Sequence, residues 1–262
     1  TANLRFSELP PGPVVLVADA GFQTFPPNLL YVDDEFAGRT RPMAAAPSLA
    51  WLGAARKAGD IGDGRMCAWI STAAGHESQT LPMIAERLQP IFLEYGFIVD
   101  DGPTLPAAFA GATLAVVTAH GGVNPEGRYF QAVSDEGVLQ VTAAELANAL
   151  RNIEVVILFV CSGGRADKHP AANTILGLAK QIVDRGCAAV VSSPWPLDGR
   201  VPSHWLPPFL KHWSGGASLI EANFEANKIV DRAFAHDPAR GLAMTVYGNP
   251  ELRFAVSPRR SA

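Results

Sequence analysis

The sequence predicts an α/β domain whose mostly parallel sheet is covered by helices on both faces. Two patterns carry that expectation. Short runs such as Val14-Val15-Leu16-Val17 and Val155-Val156-Ile157-Leu158-Phe159-Val160 are apolar without alternation, as strands buried on both faces must be. Between such runs lie stretches with apolar residues at helical spacing, the order that builds parallel sheets from right-handed crossovers. The chain has 262 residues, 48% of them apolar and 18% charged, enough to bury one sizeable core. A single domain over 1–262 is therefore expected. Because it opens on Thr1 rather than Met, it is expected to be cut from a longer polypeptide.

In chain order, Val14–Val17 is the first expected strand, followed by a Pro-containing loop, and Met66–Ile70 is the second. The segment 57–65, rich in Gly and Asp, is a surface loop too short to separate independent domains. Leu81, Ile84, Ala85, Leu88, Ile91, Phe92 and Tyr95 fall on one face of a helix over Leu81–Tyr95. Leu114–Thr118 is the third strand. Thr142 followed by Glu145 is a capping box opening a helix to Leu150. Val155–Val160 is the fourth strand, Ala172–Arg185 a helix, and Ala188–Ser192 the fifth strand. Helices over Ser203–Trp213 and Ala217–Ala235, then strands over Ala243–Tyr247 and Leu252–Val256, close the chain.

Charge narrows the function. A net charge of -4 with no basic stripe gives no reason to expect nucleic acid. No apolar run reaches the roughly 18–20 residues of a membrane span, and no charged-then-apolar leader points to secretion. Three cysteines, Cys67, Cys161 and Cys187, cannot all pair, which fits a reducing, cytoplasmic setting. Cys67 and Cys187 lie in or beside apolar runs and read as buried filler. His76, His169, His204, His212 and His236 show no metal spacing, so neither a metal nor a cofactor is expected.

In an open parallel sheet, reactive groups gather beyond the carboxyl ends of the strands. The third strand delivers His120, Gly121 and Gly122; the fourth delivers Cys161, Ser162, Gly163 and Gly164. If these strands are neighbours, an imidazole and a thiol share one rim. The thiolate is the nucleophilic form, and an imidazole beside it can take the proton and return it to a leaving amine. Glycines there let the backbone approach substrate closely. The N–H groups of Gly121 and Cys161 are the candidate oxyanion hole. Asp135 and Glu136, between the two strands, read as solvated surface.

These residues, in this order, resemble the CHAT family of caspase-like cysteine proteases, whose clan includes caspases, separases and clostripain. Ala119-His120-Gly121, Cys161-Ser162-Gly163 and Ser193-Pro194-Trp195-Pro196-Leu197-Asp198 carry the likeness. So do Phe25-Pro26-Pro27-Asn28-Leu29-Leu30, Ala46-Pro47-Ser48-Leu49, Glu221-Ala222 and the turn Tyr247-Gly248-Asn249-Pro250-Glu251-Leu252-Arg253. Two motifs depart from the family. Val160-Cys161-Ser162-Gly163-Gly164 stands for Ala-Cys-Glu-Thr-Gly, and Gly248-Asn249-Pro250 for Gly-Asp-Pro.

The resemblance implies a caspase-like three-layer sandwich with His120 as base and Cys161 as nucleophile. Their 41-position separation is of the order of the roughly 50 residues seen in caspases. It implies an endopeptidase acting on a protein substrate, switched on by a sensor or repeat module of a bacterial defence or cell-death system. Asp19 and Asp198 fall at positions that resemble the clan's primary specificity pocket, where acids favour Arg or Lys before the cleaved bond; each reads equally as a turn or helix-start residue. Trp195 would wall the adjacent subsite. The alternatives are a non-catalytic caspase-like scaffold, or a small-molecule hydrolase or redox-sensing thiol.

Overall fold

A computed structural model describes residues 8–18, 23–55, 64–71, 80–102, 104–106, 109, 111–123, 129–132, 140–161, 163–165, 167–168 and 175–254. The predicted loop 57–65 and the Asp135-Glu136 pair lie wholly or largely outside them, as does Asp19. The strands are β1 (Val14–Leu16), β2 (Tyr31–Val32), β3 (Glu35–Phe36), β4 (Met43–Ala45), β5 (Met66–Ile70), β6 (Ile98–Asp101) and β7 (Leu114–Val123). There follow β8 (Tyr129–Ala132), β9 (Gln140–Thr142), β10 (Val155–Val160), β11 (Asp167–Lys168), β12 (Ile175–Leu176), β13 (Ala189–Ser192) and β14 (Thr245–Gly248). The helices are α1 (Ala37–Thr40), α2 (Leu49–Ala55), α3 (Thr80–Glu94), α4 (Ala143–Ala149), α5 (Leu178–Asp184), α6 (Val201–Ser214), α7 (Leu219–Ala233) and α8 (Pro238–Gly241).

The main sheet runs β1-β4-β14-β13-β10-β7-β5-β6, with every described pair parallel except β13–β14. The central strands form where the sequence predicts them because their side chains are buried on both faces; all six residues of β10 are buried. Alternation divides those side chains between two cores. Val155, Ile157 and Phe159 pack with α3, α6 and α7 against Trp205, Phe209 and Trp213. Val156, Leu158 and Val160 pack with α4 and α5 against Leu146, Ile182 and Val183.

Local signals set the helix ends. Thr142 and Glu145 form the predicted capping box of α4, and Ser218 and Glu221 form a second at α7. The α6 helix carries Pro207 and Pro208 inside it; burial of Trp205, Phe209 and Trp213 holds it against their helix-breaking tendency. The helix predicted from Ala172 begins only at Leu178, because Ile175–Leu176 instead pairs with Asp167–Lys168. The closing strand predicted over Leu252–Val256 reduces, among the described residues, to a single bridge between Ser218 and Arg253.

The N-terminal segment joins the sheet at the β14 side. Buried Asn28 anchors it, donating to the carbonyls of Leu242 and Met244 at 3.0 Å and to Thr245 Oγ1 at 3.1 Å. β4 then pairs parallel with β14, and β1 with β4. Pro10, Pro11 and Pro13 precede β1 and blunt this edge, since proline donates no ladder bond.

Candidate functional site

β7 and β10 are parallel neighbours, with Thr118 opposite Phe159 and Ala119 opposite Val160. Their next residues are His120 and Cys161, which therefore leave adjacent strands at the same level of the rim. Alternation also assigns a face to His120: Ala119 belongs to the α4/α5 core, so His120, still within β7, follows on the α3/α6/α7 side. His120 and Cys161 are both partly buried.

β7 runs further than the sequence predicts. The strand does not stop before His120: it continues to Val123, and His120 to Val123 pair antiparallel with Ala132 to Tyr129 of β8. His120 thus sits at the junction of the parallel sheet and a β7-β8-β9 ribbon, held on a strand rather than on a loop.

Two of the glycines beside the pair, Gly121 and Gly164, leave no room for a side chain. A Cβ on Gly121 would collide with the Cys161 carbonyl and lie 2.6 Å from Val160 Cγ1 and 3.3 Å from the Cys161 nitrogen. Only glycine lets the two rim segments meet so closely. Beyond Cys161, Gly163 N–H bonds the Val160 carbonyl at 3.0 Å, and Gly164 N–H bonds Ser193 O at 2.8 Å. A Cβ on Gly164 would stand 2.6 Å from Ser192 Oγ. The segment after Cys161 is thereby tied to the end of β13.

The loop after β13 forms the next wall. Ser193 Oγ donates to Trp195 O at 2.8 Å and accepts from Trp195 N at 3.3 Å. The Trp195 indole N–H donates to Ala239 O at 2.8 Å, which fastens the loop to α8. Gly199 lies against α3, where a Cβ would be 3.1 Å from Thr80 Cγ2.

The Asp198 carboxylate is already engaged. It accepts from the Arg200 backbone N–H at 2.9 Å, Arg200 Nε at 3.1 Å, Arg200 Nη2 at 2.8 Å and Arg240 Nε at 2.7 Å. The Arg200 side chain, then burial opposing it, then the Arg200 N–H and Arg240 leave Asp198 well below the usual carboxylate range. Its contacts fill the role of a turn residue; a specificity acid would present its oxygens to substrate.

Cys67 and Cys187 are buried, as their apolar surroundings predict, while Cys161 is the partly exposed thiol. Burial pushes the Cys187 thiol up to about 12, which disqualifies it as a nucleophile near neutrality.

Two cavities have neither His120 nor Cys161 in their walls, and sequence reasoning finds neither. One, of about 40 Å³, includes Gly164, Arg165, Lys180, Ser192 and Tyr247 in its walls. The other, of about 410 Å³, lies between α1 and the end of α7. There His236 Nδ1 and Asp231 Oδ2 are 2.6 Å apart and Arg39 reaches Asp231 Oδ1 at 3.3 Å. No spacing rule reveals this pair, because Asp231 and His236 are joined through left-handed Ala235 and His236 (φ 54° and 61°).

The mostly parallel sheet with helices on both faces, and His120 and Cys161 following adjacent strands, is a caspase-like fold. Residues 106–233 match the model of the CHAT domain, so this stretch of the chain is similar to that family. A chain of the Saccharomyces cerevisiae separase–securin complex superposes with a TM-score of 0.63 at 14% identity, over 92% of this chain and 15% of that one. The Arg-specific cysteine proteinase gingipain R superposes with a TM-score of 0.52 at 13% identity, over 84% of this chain and 57% of that one. The chain thus spans a small fraction of the first and just over half of the second, and the likeness at these identities is one of fold. No curated protein matches in sequence. Among the described residues, no helix is long and apolar enough to cross a membrane.

Proposed function

We propose that this domain is a cysteine endopeptidase in which His120 is the base and Cys161 the nucleophile. The observation that supports the reading is the β7–β10 register, from whose ends at Ala119 and Val160 the two residues follow next in the chain. The Cys161 thiolate attacks the scissile carbonyl, and His120 protonates the departing amine. Water then hydrolyses the thioester, with His120 taking its proton. The N–H groups of Gly121 and Cys161 stabilise the tetrahedral oxyanion. The close approach of Gly121 to the Cys161 backbone supports pairing them in that role.

The substrate is a protein, and an activating sensor or repeat module in a bacterial defence or cell-death system completes the proposal. A preference for Arg or Lys before the cleaved bond now rests on Asp19, with Trp195 walling the neighbouring subsite; the arginine partners of Asp198 argue against its taking part. The test compares wild type with Cys161→Ala and His120→Ala on fluorogenic peptides varied at the residue before the leaving group. Hydrolysis abolished in both variants, with Arg and Lys peptides preferred, supports the whole reading. Cleavage after acidic or apolar residues keeps the dyad and discards Asp19. No cleavage, together with no labelling of Cys161 by a peptide electrophile, leaves the scaffold alternative.

A further inference from the structure

The two central strands hold one polar side chain below the rim. From Leu114 to Ala119 of β7 and from Val155 to Val160 of β10, every residue is apolar except Thr118. Thr118 is fully buried, and its Oγ1 has no hydrogen-bond partner among the described residues. A buried hydroxyl left unpartnered is costly. Valine is close to threonine in shape and carries no such cost, and β7 uses it at Val116 and Val117.

The sheet fixes what the hydroxyl can reach. Leu114 and Val116 belong to the α3/α6/α7 core, and Ala115, Val117 and Ala119 to the other. Alternation therefore puts Thr118 and His120 together on the α3/α6/α7 face of one strand. On that face Thr118 has four neighbours in the sheet. Across the strands it lies opposite Ile70 of β5 and Phe159 of β10; along β7 it lies between Val116 and His120. Three of the four have side chains of carbon alone. His120 is the one that can hydrogen-bond, two residues or about 6.6 Å along the strand. Side chains of a strand lean along its direction, and a hydroxyl and an imidazole leaning toward each other close that gap to bonding distance.

We infer that Thr118 is a positioning residue for His120, its Oγ1 accepting from the Nδ1–H of the imidazole. Nδ1 is the ring nitrogen nearer the backbone, and so the one within reach of the residue beneath. A bond there fixes the tautomer and leaves the Nε2 lone pair turned to the rim, where the proposed mechanism uses it against Cys161. The bond persists when His120 carries the thiol proton, because both ring nitrogens of an imidazolium are donors. This role rests on the peptidase reading; the bond itself is testable without it.

The first arm of the test is ring-nitrogen NMR of the whole chain, labelled with 15N-histidine and carrying Cys161→Ala. Spectra are recorded at pH ~9, where an imidazole is neutral, and His120 is assigned by its absence in His120→Gln. The Nδ1–H tautomer is expected, giving way to a mixture when Thr118→Val is added. The second arm measures hydrolysis and urea unfolding with Cys161 intact. Thr118→Val should lower kcat by roughly 10- to 100-fold, a share of the roughly 10²–10⁴ that a positioned acid–base group contributes, with KM unchanged and no loss of stability. Thr118→Ser, which keeps the hydroxyl, should restore kcat. The inference is overturned if His120 is the Nε2–H tautomer in the Cys161→Ala chain, or keeps its tautomer in Thr118→Val. It is equally overturned if Thr118→Val hydrolyses as fast as wild type, or if Thr118→Ser fails to restore a lowered kcat. A wild type that cleaves nothing sinks the peptidase reading alone, and the ring spectrum still decides the bond. That spectrum needs no substitution at Thr118, so it also decides where Thr118→Val fails to fold.

Discussion

The two faces of the sheet are built from different materials. The α3/α6/α7 face is aromatic: Trp205 stacks on Phe209 with centroids 4.4 Å apart, Phe209 contacts Trp213, and Phe159 meets Trp205 edge-on at 5.9 Å. The α4/α5 face is mainly aliphatic, with Leu146, Leu150, Ile182 and Val183 beneath short helices. The longer helices α3, α6 and α7 lie on the aromatic face. Strand alternation sends His120 to that rigid side. A catalytic group must be held within fractions of an ångström, and interlocked rings with few rotamers suit that need.

The sharpest way to break the contrast is Trp205→Ala. The side chain is fully buried, and its indole N–H donates to Asn227 Oδ1 at 3.0 Å. Removal opens a cavity and leaves that buried oxygen short of a donor, so a loss of about 3–5 kcal/mol is expected. Leu146→Ala on the aliphatic face, with no hydrogen bond to lose, should fall toward the lower end of the roughly 2–5 kcal/mol range. Denaturant unfolding of both variants measures the difference. Equal losses would mean that the aromatic stack adds nothing beyond its area.

Gly121→Ala tests the junction between the faces. The added methyl meets the Cys161 carbonyl and Val160 Cγ1, so backbone must shift. Overpacking of this kind costs about 1–3 kcal/mol. Its effect on hydrolysis should be larger, at least roughly 100-fold in kcat, because a displacement near 1 Å costs about that much. A variant destabilised in urea but fully active would show that Gly121 serves packing alone.

Legibility in the sequence follows the same division. The strands β5, β7 and β10 are readable because they are buried on both faces and have no alternation to confuse with a helix. The pair His120 and Cys161 is readable because each ends such a run beside glycines. β4 and β6 are not: Met43–Ala45 is a three-residue run that owes its strand state to pairing with β14 and β1, and Ile98–Asp101 ends in two acids. Neither carries a local pattern, so tertiary pairing decides them. The smaller cavity is hidden for the same reason, since Arg165, Lys180 and Tyr247 are brought to its walls only by topology. Asp198 shows the limit at single residues: an acid after a strand reads alike whether it faces substrate or two arginines.

Asp198→Asn sharpens that last distinction and carries the smallest effect. The carboxylate is held low by Arg200, the peptide N–H beside it and Arg240, so its folded pKa lies below the unfolded value of about 3.9. Its stabilisation is therefore present above pH ~4 and is lost as pH falls through the folded value. The pair is partly exposed and screened by solvent, which limits the contribution to about 0.5–1 kcal/mol. The difference in Tm between wild type and Asp198→Asn should be measurable at pH 7, shrink below pH ~4, and weaken in high salt. If Asp198 only fastens the loop before α6 to α8, the ratio of kcat/KM for Arg over apolar peptides should be unchanged in the variant. A selective rise in KM for Arg and Lys peptides would instead show that substrate displaces Arg240, and that one carboxylate alternates between holding the loop and reading the residue to be cleaved.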